Sequence, residues 1–237
     1  MAILEVRNLY SGYGKLQVLF NVNLEAENKQ VTVVVGPNGA GKTTLLNSVT
    51  GIATIYRGEI FFEGKLITKL PQHSIARLGI AYVPQIGNIF ANLTVEENLR
   101  IAGYLLPEEE IKDRFEEIYN VFPVLSNFRH RRAGTLSGGE RRMLAIGMAL
   151  MRKPKILLLD EITTDLAPIY VKKVLDKVLE LRDSLGLPII LVEQYAVRAL
   201  QIADKAYLLV SGSVRYEGNP QELLKHPEFS KLYLGVS

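Results

Sequence analysis

Residues 31–35 read Val-Thr-Val-Val-Val, and Gly36-Pro37-Asn38-Gly39-Ala40-Gly41-Lys42-Thr43 follows without a break. An unbroken β-branched run suits a strand buried on both faces, the kind found in parallel sheets covered by helices. That run alone points to an α/β chain. The glycines after it let backbone N–H groups wrap phosphate oxygens, while Lys42 and the Thr43 hydroxyl reach phosphate and Mg²⁺. Residues 41–49, which include Thr44, read as a helix whose N-terminus faces the phosphates, because its free N–H groups and dipole favour negative charge. A chance match to the Gly-x4-Gly-Lys-Thr spacing in a chain of this size is on the order of one in a hundred.

A second feature has the same logic. Ile156-Leu-Leu-Leu159 reads as another buried strand, and it ends in Asp160-Glu161. In open α/β sheets ligands bind at the carboxyl ends of the strands, so both carboxylates are delivered toward a bound ligand. Asp160 is expected to hold Mg²⁺, directly or through water, and Glu161 to accept the proton of an attacking water. Adjacent acids also end strands in solvent; the phosphate loop upstream favours the chemical reading.

Between these features the pattern turns helical. Thr94-Val-Glu-Glu97 is a capping box, and helices are expected over residues 95–105, 107–121 and 139–152. The last opens at Leu136-Ser137-Gly138-Gly139-Glu140, where Ser137 suits an N-cap and two glycines permit close backbone approach. A plain loop-to-helix cap accounts for this stretch equally well. Further strands are expected at residues 3–9, 18–24, 58–62, 80–83 and 189–192, helices at 168–184 and 196–203, and a hairpin at 207–216. Alternating strand and helix implies a mostly parallel sheet. With no repeat and no low-complexity linker, residues 1–237 read as one domain. Its α/β core comes from 1–87 and 153–237, and 88–152 forms a helical insert.

Composition removes several function classes. The chain has 28 basic and 25 acidic residues and a net charge of +3, without a basic arm or acidic tail, so no nucleic-acid partner is expected. Without cysteine there are no disulfides or thiolate ligands, and the 3 histidines are scattered. No apolar run approaches the roughly 18 residues of a membrane span. The N-terminus has neither a basic n-region nor a long apolar h-region, so no signal peptide is expected.

The glycine loop, Leu136-Ser137-Gly138-Gly139 and Asp160-Glu161, in this order, resemble the nucleotide-binding subunit of an ATP-binding cassette (ABC) transporter. The resemblance covers almost the whole chain. It implies a P-loop NTPase fold with an N-terminal antiparallel β portion and an α-helical, signature-bearing insert. It implies ATP and Mg²⁺ as ligands, with Gly36, Pro37, Asn38, Gly39, Ala40, Gly41, Lys42, Thr43 and Thr44 on the phosphates and Thr43, Gln85 and Asp160 around the metal. Tyr13, in Gly12-Tyr13-Gly14, matches the aromatic that stacks on adenine, although Tyr10 or Tyr13 could also simply pack. Ser137, Gly138 and Gly139 would close over ATP held by a second ATPase subunit, identical or sister. Further implied partners are transmembrane permease subunits and, indirectly, an extracytoplasmic solute-binding protein, placing the chain at the cytoplasmic face of the cell membrane as a peripheral subunit.

Within that family the text is most similar to the second ATPase of branched-chain amino-acid importers. Tyr82-Val-Pro-Gln85 and the residues through Phe90, Asn92 to Leu99, Leu166-Ala-Pro168, Leu191-Val-Glu-Gln194 and Lys231-Leu-Tyr-Leu-Gly235 carry this resemblance. Tyr195 after Gln194 is reminiscent of urea-type subunits. Three departures stand out. Gln194 occupies the position of a switch histidine, where it can hydrogen-bond a γ-phosphate but carries no protonic charge. Ile162-Thr163-Thr164-Asp165-Leu166-Ala167 replaces Pro-Ser-x-Gly-Leu-Asp, which is expected to change the freedom of that loop. Asn28-Lys29-Gln30 replaces a Gly-Glu turn, which a left-handed Asn would accommodate. The reading is an importer ATPase. Its alternatives are a urea or amide importer ATPase, an exporter ATPase and a nucleotide-gated dimerising protein with little hydrolysis. A soluble cassette acting on ribosomes or DNA is a further candidate; those usually carry a tandem cassette or a long coiled-coil insert, and neither fits in this chain.

Overall fold

The computed structural model describes residues 2–86 and 89–226 together with Phe229 and Tyr233. Gly87 and Asn88, and all of the 231–235 stretch except Tyr233, lie outside the described residues. The chain begins with β1 (Ala2–Tyr13), β2 (Leu16–Glu27), β3 (Val31–Val35), α1 (Lys42–Val49), β4 (Thr54–Phe62), β5 (Lys65–Leu66), α2 (Gln72–Arg77) and β6 (Ile80–Val83). Helices α3 (Val95–Ala102), α4 (Glu108–Val121), α5 (Pro123–Asn127) and α6 (Gly138–Leu150) follow. The remainder is β7 (Ile156–Asp160), α7 (Pro168–Leu185), β8 (Ile189–Glu193), α8 (Ala196–Gln201), β9 (Lys205–Val210), β10 (Ser213–Gly218) and α9 (Pro220–Lys225).

Two sheets result. One is antiparallel in the order β2-β1-β4-β5; the other runs β10-β9-β3-β8-β7-β6, with only β10 antiparallel to its neighbour. Because β9, β3, β8, β7 and β6 all point the same way, their carboxyl ends share one edge. The loops after β3, β8, β7 and β6 carry Gly36, Gln194, Glu161 and Gln85 respectively. The expected α/β fold with an antiparallel β portion and a helical stretch is therefore observed.

Strands β3, β7 and β8 are buried along their whole length, as their apolar runs require. Alternate side chains serve two cores. Val33, Leu157, Leu159 and Leu191 pack with α6, α7 and the helices before them, whereas Val34, Leu158, Ile190 and Val192 pack toward α1 and the antiparallel sheet. Leu99, Ile118, Leu125 and Leu144 of the helical stretch share the first core. Both expected N-caps form: Thr94 with Glu97 and Ser137 with Glu140 complete capping boxes. At the other end of α6 the buried Arg114 of α4 donates to the carbonyls of Leu150 and Met151.

Some boundaries differ from the sequence reading. β1 and β2 are longer than expected because register shifts absorb extra residues, with Asn8 (φ 47°) and Asn21 (φ 52°) in the left-handed region. Short helices α2, α5 and α9 carry too few turns to show a period. In the turn before β3 the left-handed residue is Lys29 (φ 58°), not Asn28. The Lys29 stem lies beside Gly186, the left-handed cap of α7.

Candidate functional site

The loop after β3 forms a cradle around Lys42. Gly36 is required because a Cβ there would sit 2.1 Å from the carbonyl oxygen of Leu209 on β9. Gly41 caps α1 at φ 101°, and no side chain caps this end. The first turn of α1 also lacks acidic residues, so its N–H groups remain available to an anion. Pro37 is half-buried, Asn38 and Gly39 are exposed, and Ala40 is buried. Thr43 faces solvent while Thr44 is buried beneath it. Lys42 is buried, and its Nζ donates to the carbonyls of Gly36 (2.9 Å) and Pro37 (3.1 Å) and pairs with Glu161 at 3.2 Å.

The acids at the end of β7 meet this cradle. Thr43 Oγ1 donates to Asp160 Oδ1 at 3.2 Å, and the Tyr82 hydroxyl of β6 donates to Asp160 Oδ2 at 3.0 Å. Burial pushes the Asp160 carboxyl up, opposed by these two hydroxyls. Burial and the neighbouring Asp160 also push the Tyr82 phenol up. Glu161 accepts from Gln85 Nε2 at 3.1 Å, so Lys42, Gln85, Asp160 and Glu161 converge from three loops. Glu161 itself is left-handed at φ 46°, a strained geometry costing about 1–2 kcal/mol. Among the described residues no group of three or more His, Cys, Asp or Glu could hold a metal. One carboxylate and one hydroxyl fit a Mg²⁺ that also takes phosphate oxygens and waters, which is how that ion is usually held beside nucleotides.

The other expected residues lie around this centre. Tyr13 ends β1 with an exposed ring, its hydroxyl bonded to Asn47 Nδ2 of α1 at 2.7 Å. This fixes the ring beside the helix that begins at Lys42. Half-buried Gln194 follows β8, and its carbonyl accepts from the Tyr233 hydroxyl at 2.5 Å. The same hydroxyl lies 3.3 Å from the Gly36 carbonyl. Ser137 is engaged as the cap of α6, and Gly138 and Gly139 lie against Leu166 and Tyr170 of this chain. Asp165 takes over the glycine position of the altered loop in a left-handed conformation, φ 63°, which Asp tolerates better than most residues. The loop keeps a glycine-like bend without glycine.

Four partners escaped the sequence reading. Tyr82 binds Asp160, Arg142 of α6 donates to the Gln85 carbonyl, Glu193 accepts twice from Thr163, and Tyr233 spans Gly36 and Gln194. Tyr82, Glu193 and Tyr233 lie in stretches that carry the family resemblance, but nothing in the sequence pairs them with these partners.

A glycine cradle after a buried strand, its lysine and threonine met by two carboxylates from the end of β7, defines a P-loop ATPase. Residues 19–164 match the ABC transporter family, and the chain belongs to that family as an ATP-binding cassette. It is 51% identical to the probable branched-chain amino acid transport ATP-binding protein LivF of Archaeoglobus fulgidus, over 99% of both chains. It is 34% identical to the lipopolysaccharide export system ATP-binding protein LptB of Haemophilus influenzae, over 99% of this chain and 98% of that one. Its fold matches MJ1267, an ATP-binding cassette of an ABC transporter, in its ADP conformation, with a TM-score of 0.90, 29% identity and 99% of both chains covered. The protein is an ATPase cassette that binds nucleotide.

Proposed function

We propose that this chain powers the import of branched-chain amino acids as one ATPase of a membrane transporter. The observation that carries the reading is the 51% identity to LivF, which runs over 99% of both chains. In this reading ATP lies on Lys42 and on backbone N–H groups within residues 36–44, with Pro37 donating none and adenine against Tyr13. Mg²⁺, when bound, offsets phosphate charge beside Thr43, Gln85 and Asp160. Glu161 takes the proton of the attacking water, and Gln194 donates an amide hydrogen bond to the γ-phosphate. Catalysis is then positioning plus charge stabilisation.

Lys42 holds Glu161 until phosphates arrive, because Glu161 is the carboxylate paired with the buried ammonium at 3.2 Å. ATP exchanges that partner and frees the carboxylate for water. Ser137, Gly138 and Gly139 reach the ATP of a second ATPase subunit, of the same or a sister kind. Tyr195 and Val197 are exposed beside Gln194 and Asp165 and supply apolar surface for that contact. Residues 88–152 form the helical lobe of a single domain. Ile86, Phe90, Tyr104 and Leu105 are exposed around α3 and suit a permease at the cytoplasmic face of the membrane; no described helix is long and apolar enough to cross it.

The similarity to LptB favours an exporter as the second reading. Membrane vesicles carrying the subunits of the transporter, with wild type or Glu161→Gln, separate the two. ATP-dependent uptake of labelled leucine that the variant abolishes supports import; ATP-driven lipid extraction without leucine uptake supports export.

A further inference from the structure

Thr163 and Glu193 form a buried clamp 30 residues apart in the chain. Thr163 donates its backbone N–H to Glu193 Oε1 at 3.0 Å and its hydroxyl to Oε2 at 2.8 Å. Each carboxylate oxygen thus accepts from Thr163 in the loop after Glu161, and the Gln194 backbone adds a further hydrogen bond to the same carboxylate. One step earlier, Glu161 N–H donates to the Val192 carbonyl at 2.8 Å. Consecutive residues of β8 therefore hold both sides of Ile162, which is itself buried. Glu161 keeps its left-handed backbone between these two attachments. A strained residue persists only where its surroundings over-determine it, and here the surroundings are Val192 and Glu193.

Glu193 is an expensive way to fill this position. It is 1% exposed, and burial pushes its carboxyl up to about 7 against the Thr163 hydrogen bonds. Glu161 at the end of β7 raises it further, and the half-buried guanidinium of Arg142 on α6 faces both Glu193 and Asp165. The clamp is also placed where it can act twice. Its loop side carries Glu161, and the next residue on its strand side is Gln194.

We infer that Glu193 is a positioning residue for ATP hydrolysis, holding the loop after Glu161 so that the Glu161 carboxylate stays aimed at the phosphate site. This rests on the proposed role of Glu161, and the experiment separates the two. Steady-state Mg-ATP turnover is measured on the full chain with its partner subunits for Glu193→Ala, Glu193→Gln, Thr163→Val, the Glu193→Ala/Thr163→Val double variant and Glu161→Gln. Melting curves confirm that each is folded. Thr163→Val is the milder probe should Glu193→Ala fail to fold.

The clamp predicts that Glu193→Ala and Thr163→Val each lower kcat by roughly 10- to 100-fold with KM for ATP within about threefold, and that the double variant loses no more than either single one. Glu193→Gln, whose amide accepts from the Thr163 N–H and donates to its hydroxyl, retains kcat within about fivefold. The inference is overturned if folded Thr163→Val and Glu193→Ala keep wild-type kcat, if the two losses multiply, or if KM rises in place of the fall in kcat. Glu161→Gln stalling while the clamp variants run normally removes the clamp alone. Clamp variants stalling while Glu161→Gln runs normally removes the base assignment and leaves the loop-holding role in place.

Discussion

Glu161→Gln should bind ATP more tightly than the wild type, before any question of hydrolysis. The Lys42 ammonium is 4% exposed and lies 3.2 Å from Glu161. At the effective dielectric of about 20 that suits buried pairs, such a contact is worth about 5 kcal/mol of Coulomb energy. Incoming phosphates must take Lys42 away from that carboxylate and then sit near its charge. Much of the energy returns, because the Gly36 and Pro37 carbonyls stay on Lys42 and Gln85 remains on Glu161. Retaining about a fifth to two-fifths gives a gain of ~1–2 kcal/mol, or roughly 5- to 30-fold in Kd. A neutral glutamine still accepts from Gln85 but no longer competes for the ammonium. Calorimetric titration with a non-hydrolysable ATP analogue measures this directly. Equal or weaker binding by Glu161→Gln refutes the view that Glu161 competes with phosphate for Lys42.

Three further outcomes follow from particular contacts. Gly36→Ala pushes a methyl into the Leu209 carbonyl; it should cost about 2 kcal/mol or more of stability and abolish nucleotide binding, checked by melting and titration. Arg114→Ala removes the guanidinium from the carbonyls of Met151 and of Leu150, the latter keeping the Lys153 N–H, and should destabilise by ~2 kcal/mol, lowering Tm by about 4–8 °C; an unchanged Tm contradicts the capping role. Glu193 holds its proton more tightly folded, at about 7, than at its ordinary value of 4.5. Between those values the native state binds more protons than the unfolded one, so this group's contribution is complete below the lower value and is lost as pH rises through the upper. The difference is about 3 kcal/mol. Denaturant unfolding of Glu193→Gln, which does not titrate, should therefore improve relative to the wild type by about that amount between pH 4 and pH 8; a constant gap contradicts the burial argument.

The parts of this site that a reader of the sequence can find are those whose chemistry is local. Val31 to Thr43 carries its own strand, turn and helix start, and Ile156 to Glu161 carries a buried strand with its acids attached, so both are legible as elements that meet at one sheet edge. Ser137 was legible as a cap because Glu140 stands three residues on. The contacts that aim these groups were not. Arg142 reaches Gln85 across 57 positions and Tyr82 reaches Asp160 across 78, and only the strand order brings them together. A lone Glu in Leu191-Val-Glu193 gives no sign that both its oxygens end on Thr163. The loss of proline and glycine after Glu161 was visible, but its consequence was not. Asp165 adopts the glycine conformation, and the clamp on Thr163 supplies restraint that no local pattern encodes.

The central claim is that two such cassettes hydrolyse ATP with Glu161 as the base, and phosphate release with size-exclusion chromatography in Mg-ATP tests it on wild type and Glu161→Gln together. The account predicts slow turnover by the wild type and a roughly 10²- to 10⁴-fold slower variant that elutes as an ATP-held dimer. Turnover by Glu161→Gln at the wild-type rate would contradict it.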